Sequence, residues 1–488
     1  MTVKFSLDTR SKGTPFAHYW EHCVGSCHAI MGTRQDWRNQ LKKSHSDLGF
    51  QFVRFHGLLN DEMSVVKRNQ DGSLRYSFFN IDSIFDFLLS IGMKPFVELG
   101  FMPEALASGT TTCFHYKGNI TPPADYDQWA DLIRTLTQHL VDRYGLPEVR
   151  SWFFEVWNEP NLKFFFDGTQ EEYFKLYRST CLAIKSIDSQ LRVGGPATSI
   201  NAWIPETIAF CKNTNTPLDF VSTHHYPTDD PLWKNGGLSL EEFFAKFADE
   251  YGSYERGILH KMTSKARKEA GDLPLYYTEW NTSAVLPDHV HDETYSAALV
   301  AKTIADNDGL VQSYSFWTFS DLFEEAGQYA APFHGGFGLQ NIYGIPKPTY
   351  RLFEMLHRLG NERIQVTGGA NSTVEILATK DFSELSLLVY NHDIPGSEIH
   401  QEDVVIQIAG ITDSATATIS RIDADHANPK QKWIDLGSPM YPDQTELDKI
   451  NQSSVLNSEP QKISFEDGNG SVQFKIPENG IVEIKIIG

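Results

Sequence analysis

The sequence has few cysteines and no long apolar run. Its five cysteines are scattered over 488 residues and odd in number, which does not suggest a disulfide framework. The first residues, MTVKFSLDTRSKGTPF, contain no apolar stretch long enough for a signal peptide, and no later stretch approaches the length of a transmembrane helix. These absences exclude a disulfide-rich secreted protein and a membrane-spanning protein, and we expect a location in the cytoplasm.

Basic residues are scarce relative to acidic ones. The chain has 42 Lys and Arg against 63 Asp and Glu, a formal net charge of −21, and no block of basic residues. Because such a surface repels phosphate groups, we expect no nucleic-acid partner and no membrane partner. Aromatic residues are abundant by contrast, with 10 Trp, 19 Tyr and 32 Phe. Flat rings of this kind build cores and also pack against sugars.

Apolar strand-like segments alternate with longer amphipathic helical segments from about residue 15 to about residue 335. The strand candidates lie at 22–26, 51–59, 94–100, 151–157, 191–197, 218–226, 274–280 and 313–320. Eight βα units in succession predict an α/β fold, a (β/α)8 TIM barrel. We place this barrel at residues 14–340.

Two of the helical segments carry signals for their first turn. Thr169 and Glu172 have the spacing of a capping box at the start of the helical segment TQEEYFKLYRSTCLAIKSID. In the pattern NIDSIFDFLLSIG, Asn80 is the expected N-cap.

The pattern changes after about residue 345. Short β-rich runs are separated there by Gly, Pro, Asn and Asp, without long helical windows after YRLFEMLHRLG. We therefore expect a C-terminal antiparallel β-sandwich domain at residues 341–488, with residues 1–13 as an added strand. No low-complexity linker separates the two domains, which favours a fixed interface between them.

Two glutamates follow apolar strand candidates in matching settings. Glu159 lies in WNEP after the fourth strand, and Glu279 lies in TEWN at the end of the seventh. Residues that carry chemistry in such barrels lie at the C-terminal ends of the strands, where these two strands face each other across the mouth. Glycoside cleavage uses a carboxyl pair of this kind, one as an acid and one that attacks the anomeric carbon or directs water to it. Asn158 is positioned to bond a sugar 2-hydroxyl.

Further polar and aromatic residues lie at other strand ends. The alternation of side chains along the sixth strand puts His224 and Tyr226 on the inner face and leaves His225 packed on the outer face. The second strand ends near His56, the eighth ends near Trp317, and Glu324 follows after a turn. Trp317 would supply an apolar floor for the C–H groups of a sugar.

Two other classes of protein compete with a glycosidase. A non-catalytic carbohydrate-binding barrel would be favoured if either glutamate were replaced, and both are present. A metal-dependent hydrolase would use His56, His224 and His225, but the first strand lacks a His-x-His pair and adjacent histidines on a strand point apart. We expect no metal and no cofactor.

The sequence resembles glycoside hydrolase family 39, the family of β-xylosidases and α-L-iduronidases, over nearly its whole length. The resemblance is carried by HYWEHCVGSCHA, DWRNQL, LGFQFVRFHGLLNDEM, FEVWNEPNL, DFVSTHHYP, YYTEWNTS and SFWTFSDLFEE. It implies a retaining exo-glycosidase in which Glu159 is the acid/base and Glu279 the nucleophile. The positions that it matches to sugar binding are His56, Asn158, His224, Tyr226, Trp317 and Glu324.

The substrate expected from the resemblance is a small oligosaccharide or glycoside with a terminal β-D-xylose. The alternatives are β-glucosidase, β-galactosidase, α-L-arabinosidase and α-L-iduronidase activity. A uronic acid would favour a cationic partner, for which Arg54 and Lys117 are candidates, although ion pairing elsewhere is the better interpretation of both. The chain departs from the family pattern at Cys27 and at residues 284–286, where Ala-Val-Leu replaces a segment that often carries a tyrosine. A homo-oligomer stays open.

Overall fold

The computed structural model describes residues 2–229, 255–325, 327, 331–382, 384–466 and 468–488. Eight parallel strands close into a barrel, each within or next to a strand that the alternating pattern predicted. They are β1 (Cys23–His28), β2 (Phe52–His56), β3 (Lys94–Leu99), β4 (Phe153–Val156), β5 (Arg192–Thr198), β6 (Phe220–His224), β7 (Leu275–Trp280) and β8 (Ser313–Phe316). The predicted TIM barrel is confirmed.

Helices surround this barrel and carry apolar residues on the face that packs against the strands. They are α1 (Gln35–Leu48), α2 (Phe79–Ser90), α3 (Tyr126–Tyr144), α4 (Leu146–Val149), α5 (Gln170–Ile187), α6 (Ile204–Asn213), α7 (Ile258–Ala270), α8 (Thr294–Asp306) and α9 (Pro348–His357). No helix within the described ranges is both long and apolar enough to cross a lipid bilayer.

The two expected helix starts have different outcomes. Thr169 and Glu172 form both hydrogen bonds of a capping box at α5, which confirms that prediction. The prediction for Asn80 is wrong, because α2 begins at Phe79 and Asn80 lies inside the first turn. The Asn80 side-chain amide donates instead to the carbonyl of Met63 at 3.1 Å, so it ties the helix to the preceding loop.

The second domain is a sandwich of two sheets. One sheet orders the strands Thr367–Gly368, Thr2–Asp8, Glu402–Ala409, Asn469–Ile476 and Ser464–Glu466. The other orders Thr14–Pro15, Glu362–Ile364, Val374–Asp381, Glu384–Asn391, Ile481–Ile487, Thr416–Ile422 and Ser458–Gln461. Their inner faces share one apolar core, which confirms the predicted sandwich.

The sandwich differs from an all-antiparallel one at its N-terminal strand. Thr2–Asp8 runs parallel to Glu402–Ala409, whereas the other pairs in the two sheets are antiparallel. The whole barrel separates these two strands along the chain, so no hairpin dictates their direction. The domain also contains two short helices, α10 (Pro429–Asp435) and α11 (Gln444–Ser453), that the β-rich pattern did not predict.

The division of the chain at residues 340 and 341 stays a prediction. Helix α9 begins after that point, and the hydroxyl of Tyr350 on α9 donates to Asp47 of α1 at 2.7 Å. We propose that the barrel domain extends through His357. Across the domain interface Glu375 of the sandwich pairs with Lys302 at 2.9 Å and with Arg256 at 2.8 Å.

Two layers of side chains fill the barrel interior. The lower layer is a buried cluster near the N-terminal ends of the strands, made of Cys23, Phe52, Phe96, Phe153, Phe220 and Tyr276. Two residues further along five of the same strands, the inward side chains are polar and equally buried: Arg54, Glu98, Glu155, Ser222 and Thr278. Two short ribbons lie in the loops after β2 and β3, at Val66–Arg68 with Leu74–Tyr76 and at Thr112–Cys113 with Gly118–Asn119.

Candidate active site

Glu159 and Glu279 converge above the polar layer. Glu159 follows β4 with a backbone φ of 43°, and its N–H donates to the carbonyl of Ala197 at 2.8 Å. Both glutamates are buried, and a carboxylate oxygen of one lies within 4.8 Å of a carboxylate oxygen of the other. Retaining glycosidases need carboxyl groups about 5–5.5 Å apart, whereas inverting ones need about 6.5–9.5 Å to admit water. The spacing fits direct attack on a sugar carbon.

Glu279 is held by donors on both oxygens. Arg54 Nη1 donates to Oε1 at 2.7 Å, and the Tyr226 hydroxyl donates to Oε2 at 2.9 Å. His56 Nε2 lies 3.5 Å from Oε1. These hydrogen bonds fix the orientation of the Glu279 carboxyl group at the barrel mouth.

Glu159 is in a different environment. Burial raises its pKa well above the usual range of a carboxyl, and the negative charges of Glu279 and Asp229 raise it further. Its Oε1 lies 3.0 Å from His224 Nδ1. The two carboxyls therefore differ in their surroundings, with hydrogen-bond donors on both oxygens of Glu279 and a raised pKa at Glu159. Carboxyl pairs in unlike environments can divide the roles of acid and nucleophile.

Arg54 is the centre of the polar layer. It is fully buried, and its guanidinium contacts Glu155 at 2.5 Å, Glu98 at 3.0 Å and Glu279 at 2.7 Å. Its Nη2 also donates to Asn158 Oδ1 at 2.8 Å. The ion pairing expected for Arg54 therefore exists, but one of its partners is Glu279 of the site, which the sequence did not indicate.

The alternation along β6 predicted the orientation of the two histidines. His224 faces Glu159, whereas the ring of His225 packs on Tyr277 with a centroid distance of 4.3 Å and its Nε2 bonds the Tyr314 hydroxyl. Because His225 points away, His56, His224 and His225 do not converge on a single point, as a three-histidine metal site would require.

A cavity of about 160 Å³ opens beside the two glutamates. Of the residues expected to bind sugar, His56, Tyr226 and Trp317 line it. Asn158 lies beneath with its side-chain Nδ2 buried and without a hydrogen-bond partner among the described residues. Such an unpaired donor next to Glu159 is available to a ligand hydroxyl.

Glu324 lies outside the group of residues that line the cavity. Its side chain does not line the cavity, because it turns towards His28 at 3.3 Å and Arg34 at 3.4 Å, and its backbone N–H donates to Cys27 Sγ. The adjacent Glu325 lines the cavity instead. The loop after β8 lacks strand alternation, so the sequence could not decide between the two neighbours.

Glu325 has the properties of a ligand-binding group. Its Oε1 is buried without a hydrogen-bond partner in the described part of the chain, and it lies 3.8 Å from His56 Nε2. Burial, followed by the charges of Glu279 and Glu98, raises the pKa of Glu325 well above the usual range.

The outer wall of the cavity is apolar. Its apolar lining residues include Phe114, Phe164, Phe165, Ala284 and Leu286. The last two belong to the segment that departs from the family pattern, so that departure reaches the cavity surface. Lys117 is exposed and is not among the lining residues.

A closed (β/α)8 barrel whose mouth carries two converging glutamates in different surroundings is the architecture of a barrel glycoside hydrolase. The chain belongs to the glycosyl hydrolases family 39, whose model matches residues 3–467. It is 53% identical to a β-xylosidase of Caldicellulosiruptor saccharolyticus over 92% of this chain and 90% of that protein. It is 36% identical to a β-xylosidase of Geobacillus stearothermophilus over 89% of this chain and 86% of that protein.

A solved structure agrees with these similarities. The crystal structure of a monomeric β-xylosidase from Caulobacter crescentus CB15 superposes with a TM-score of 0.86 at 33% identity, covering 99% of both chains. The human α-L-iduronidase is more distant, at 23% identity over 88% of this chain and 70% of that protein.

Proposed function

We propose that the protein is a retaining exo-β-D-xylosidase in which Glu159 is the acid/base and Glu279 the nucleophile. The observation that carries the reaction class is the pair of carboxyl oxygens within 4.8 Å of each other at the barrel mouth. The names of the two relatives with the identities given above support xylose as the sugar released.

In the first step Glu279 attacks the anomeric carbon while the bond from this carbon to the leaving oxygen breaks. Glu159 gives its proton to that oxygen, so the leaving group departs as a neutral alcohol and a glycosyl ester forms on Glu279. The negative charge of Glu279 disappears in this step. Since that charge helps to keep Glu159 protonated, its loss favours ionised Glu159 in the intermediate.

In the second step Glu159 takes a proton from water as the water oxygen attacks the same carbon. The ester bond to Glu279 breaks, and the sugar leaves with its original anomeric configuration. Both carboxyls return to their starting forms, so the enzyme needs no other reactant.

We assign sugar binding to the polar groups that line or underlie the cavity. Asn158 Nδ2 donates to the 2-hydroxyl, Trp317 packs on the ring, and Glu325 takes the place that the sequence gave to Glu324. His224 acts through Glu159, to which it is hydrogen-bonded. Tyr226 and His56 lie beside Glu279 and orient the nucleophile and the sugar together.

The cavity lining favours a neutral sugar over a uronic acid, because the described lining residues offer no lysine or arginine to pair with a sugar carboxylate. Four acidic residues line it, and no lysine or arginine does so among the described residues. Arg54 lies beneath and is committed to buried glutamates. The small volume, about 160 Å³ against about 300–1,000 Å³ for sites that bind larger ligands, favours one terminal sugar over an internal stretch of chain.

Xylosides at chain ends would come from the breakdown of xylan into short oligosaccharides. We place this activity in the cytoplasm, with support from five cysteines that are all buried and free.

A panel of aryl glycosides tests the proposal. The β-D-xyloside should be hydrolysed with a kcat/KM at least about tenfold above the β-D-glucoside, β-D-galactoside, α-L-arabinoside and α-L-iduronide. Proton NMR of the first-formed product should show the β-anomer. Preference for the iduronide would overturn the sugar assignment, the α-anomer would overturn the retaining mechanism, and binding without turnover of any glycoside would favour a carbohydrate-binding barrel.

A further inference from the structure

A chain of hydrogen bonds runs from Glu159 down into the polar layer. Glu159 Oε1 lies 3.0 Å from His224 Nδ1, His224 Nε2 lies 2.9 Å from Thr278 Oγ1, and that hydroxyl donates to Glu155 Oε1 at 2.8 Å. His224, Thr278 and Glu155 are all fully buried. We call these four side chains the relay.

The relay has a direction because a hydroxyl carries only one hydrogen. The Thr278 hydrogen is used in the bond to Glu155, so the same oxygen must accept from His224 Nε2. His224 then carries its proton on Nε2, and its Nδ1 has only a lone pair. The 3.0 Å contact between that Nδ1 and Glu159 is a hydrogen bond only if Glu159 supplies the proton.

A second arrangement of protons along the relay contains the same number of protons. In that order Glu155 is protonated, Thr278 donates to His224, and His224 Nδ1–H donates to an ionised Glu159. Arg54 decides between the two, because its Nε lies 2.5 Å from Glu155 Oε2 and stabilises the ionised form of that carboxyl. Burial raises the pKa of Glu155 and the charge of Arg54 acts against this rise, whereas burial and the charges of Glu279 and Asp229 together raise the pKa of Glu159 well above the usual range. The proton therefore belongs on Glu159.

His224 stays neutral in either order. Burial lowers its pKa well below the usual range, and the positive charge of Arg54 lowers it further. A neutral imidazole has one N–H, so the partner of Nε2 dictates what Nδ1 can do.

We propose that Thr278 and Glu155 are positioning residues that fix His224 as its Nε2–H tautomer, so that His224 Nδ1 accepts a hydrogen bond from protonated Glu159 and keeps Glu159 in its acid form. This inference rests on the role proposed for Glu159. It also has a consequence for the second step, in which ionised Glu159 faces a lone pair instead of an N–H. The unbonded carboxylate is then a better base towards water.

Other charged groups also act on the two ends of this contact. The titratable groups whose charges act on Glu159 or His224 are Glu279, Asp229, Arg54, Glu325, Tyr226, His56 and His225. None of these groups hydrogen-bonds the Thr278 hydroxyl. Among the described residues, its hydrogen-bond partners are His224 and Glu155 of the relay. A substitution at Thr278 therefore changes the relay and leaves those charges in place.

Thr278→Val removes the hydroxyl at nearly constant volume, and Thr278→Ser keeps it. The control is Thr223→Val, a buried threonine on β6 whose hydroxyl bonds the carbonyl of Thr198 at 2.9 Å outside the relay. Xylobiose is the substrate, because its poor leaving group requires the acid. In Thr278→Val His224 is free to take the Nδ1–H tautomer and to donate to ionised Glu159.

The basic limb of the kcat/KM profile should therefore move down by about one pH unit in Thr278→Val, the effect of about one new hydrogen bond to the charged form. Thr278→Ser and Thr223→Val should keep the wild-type limb. Equal limbs in Thr278→Val and Thr223→Val would overturn the proposal.

A second measurement reads the tautomer directly and needs no substrate. In the full chain labelled with ¹⁵N-histidine, the signals of residue 224 are assigned by their loss in His224→Gln. A protonated Nε2 with an unprotonated Nδ1 supports the relay, and a protonated Nδ1 overturns it. This spectrum decides the matter even if the protein hydrolyses no xyloside or Thr278→Val does not fold, so failure of the relay and failure of the proposed function are distinguishable.

Discussion

The aromatic layer at the bottom of the barrel and the polar layer above it are built from the same strands. On β2, Arg54 comes two residues after Phe52, and on β4, Glu155 comes two residues after Phe153. Both layers are buried to the same degree. Side chains two residues apart on a strand lie on the same face, so each of these strands supplies a ring to the lower layer and a polar group to the layer beneath the site.

The two layers are stabilised in different ways. Phe153 stacks on Phe96 at a centroid distance of 5.0 Å and lies 5.0 Å from the ring of Tyr276, so the lower layer gains from burial and ring contacts without needing any partner charge. The polar layer needs each charge to be matched, because an unpaired buried charge costs several kcal/mol. The paired charges form a rigid support beneath Glu279 and Glu159.

The largest loss of activity is expected at Glu279, which lies directly above the polar layer. Glu279→Ala should lower kcat by at least about 10⁴-fold, because no other group can form the glycosyl ester. Added azide should occupy the vacated space and give a xylosyl azide of inverted configuration. In Glu159→Ala, the matched variant, azide should give the retained product instead. Normal, fast formation of xylose by Glu279→Ala would show that the nucleophile is elsewhere.

One substitution in each layer tests how much that layer contributes to the free energy of unfolding. Phe153→Ala should lower the free energy of unfolding by about 3–5 kcal/mol through the cavity it leaves. Arg54→Met should cost a similar amount, about 3–5 kcal/mol, since three glutamates lose their cation. Denaturant unfolding measures both.

Activity then distinguishes the two variants. The kcat of correctly folded Phe153→Ala should stay near that of the wild type, while Arg54→Met should lose it because Glu279 loses a donor. A comparable loss of kcat in both would mean that the layers do not have separate roles.

The neighbours Glu325 and Glu324 give an intermediate effect. Glu325→Gln should lower kcat/KM for a β-xyloside by about 10- to 100-fold, because a buried group that faces the sugar loses part of its bonding. Glu324→Gln changes a side chain that is 31% exposed and turned away, and it should stay within about threefold. The reverse ranking would support the residue that the sequence indicated.

The smallest effect concerns the protonation of Glu159. Removing the charge in Glu279→Gln should lower the pKa of Glu159, since one cause of its elevation is gone, while burial should keep this pKa above the usual range. Carbon NMR of glutamate-labelled protein measures it, with the signal assigned from Glu159→Gln. An unchanged pKa would mean that the two carboxyls are not coupled.

Local patterns were enough to predict the barrel and much of the site. Each barrel strand is a short apolar run, and a carboxyl at the end of such a run lies at the mouth whatever the loops do. Alternation along β6 separated His224 from His225 for the same reason, because the period of a strand is fixed by its backbone.

What the sequence did not predict depends on contacts across the barrel or on broken periodicity. The partners of Arg54 come from β3, β4 and β7, so no single segment reveals them. In β7 a bulge places Thr278 and Glu279, although adjacent, both towards the interior: His224 lies opposite Glu279 while Thr223 lies opposite Tyr277. Strict alternation would have turned one of the two outward.

Double displacement requires that Glu279 and Glu159 act on one anomeric carbon. A 2-deoxy-2-fluoro-β-D-xyloside with a good leaving group should form a stable ester, because the fluorine slows both steps and the good leaving group restores the rate of the first step only. Mass spectrometry of the digested protein should find one added fluoroxylosyl group per chain, on Glu279. An ester on any other residue, or turnover of the true substrate with no ester trapped, would contradict the account.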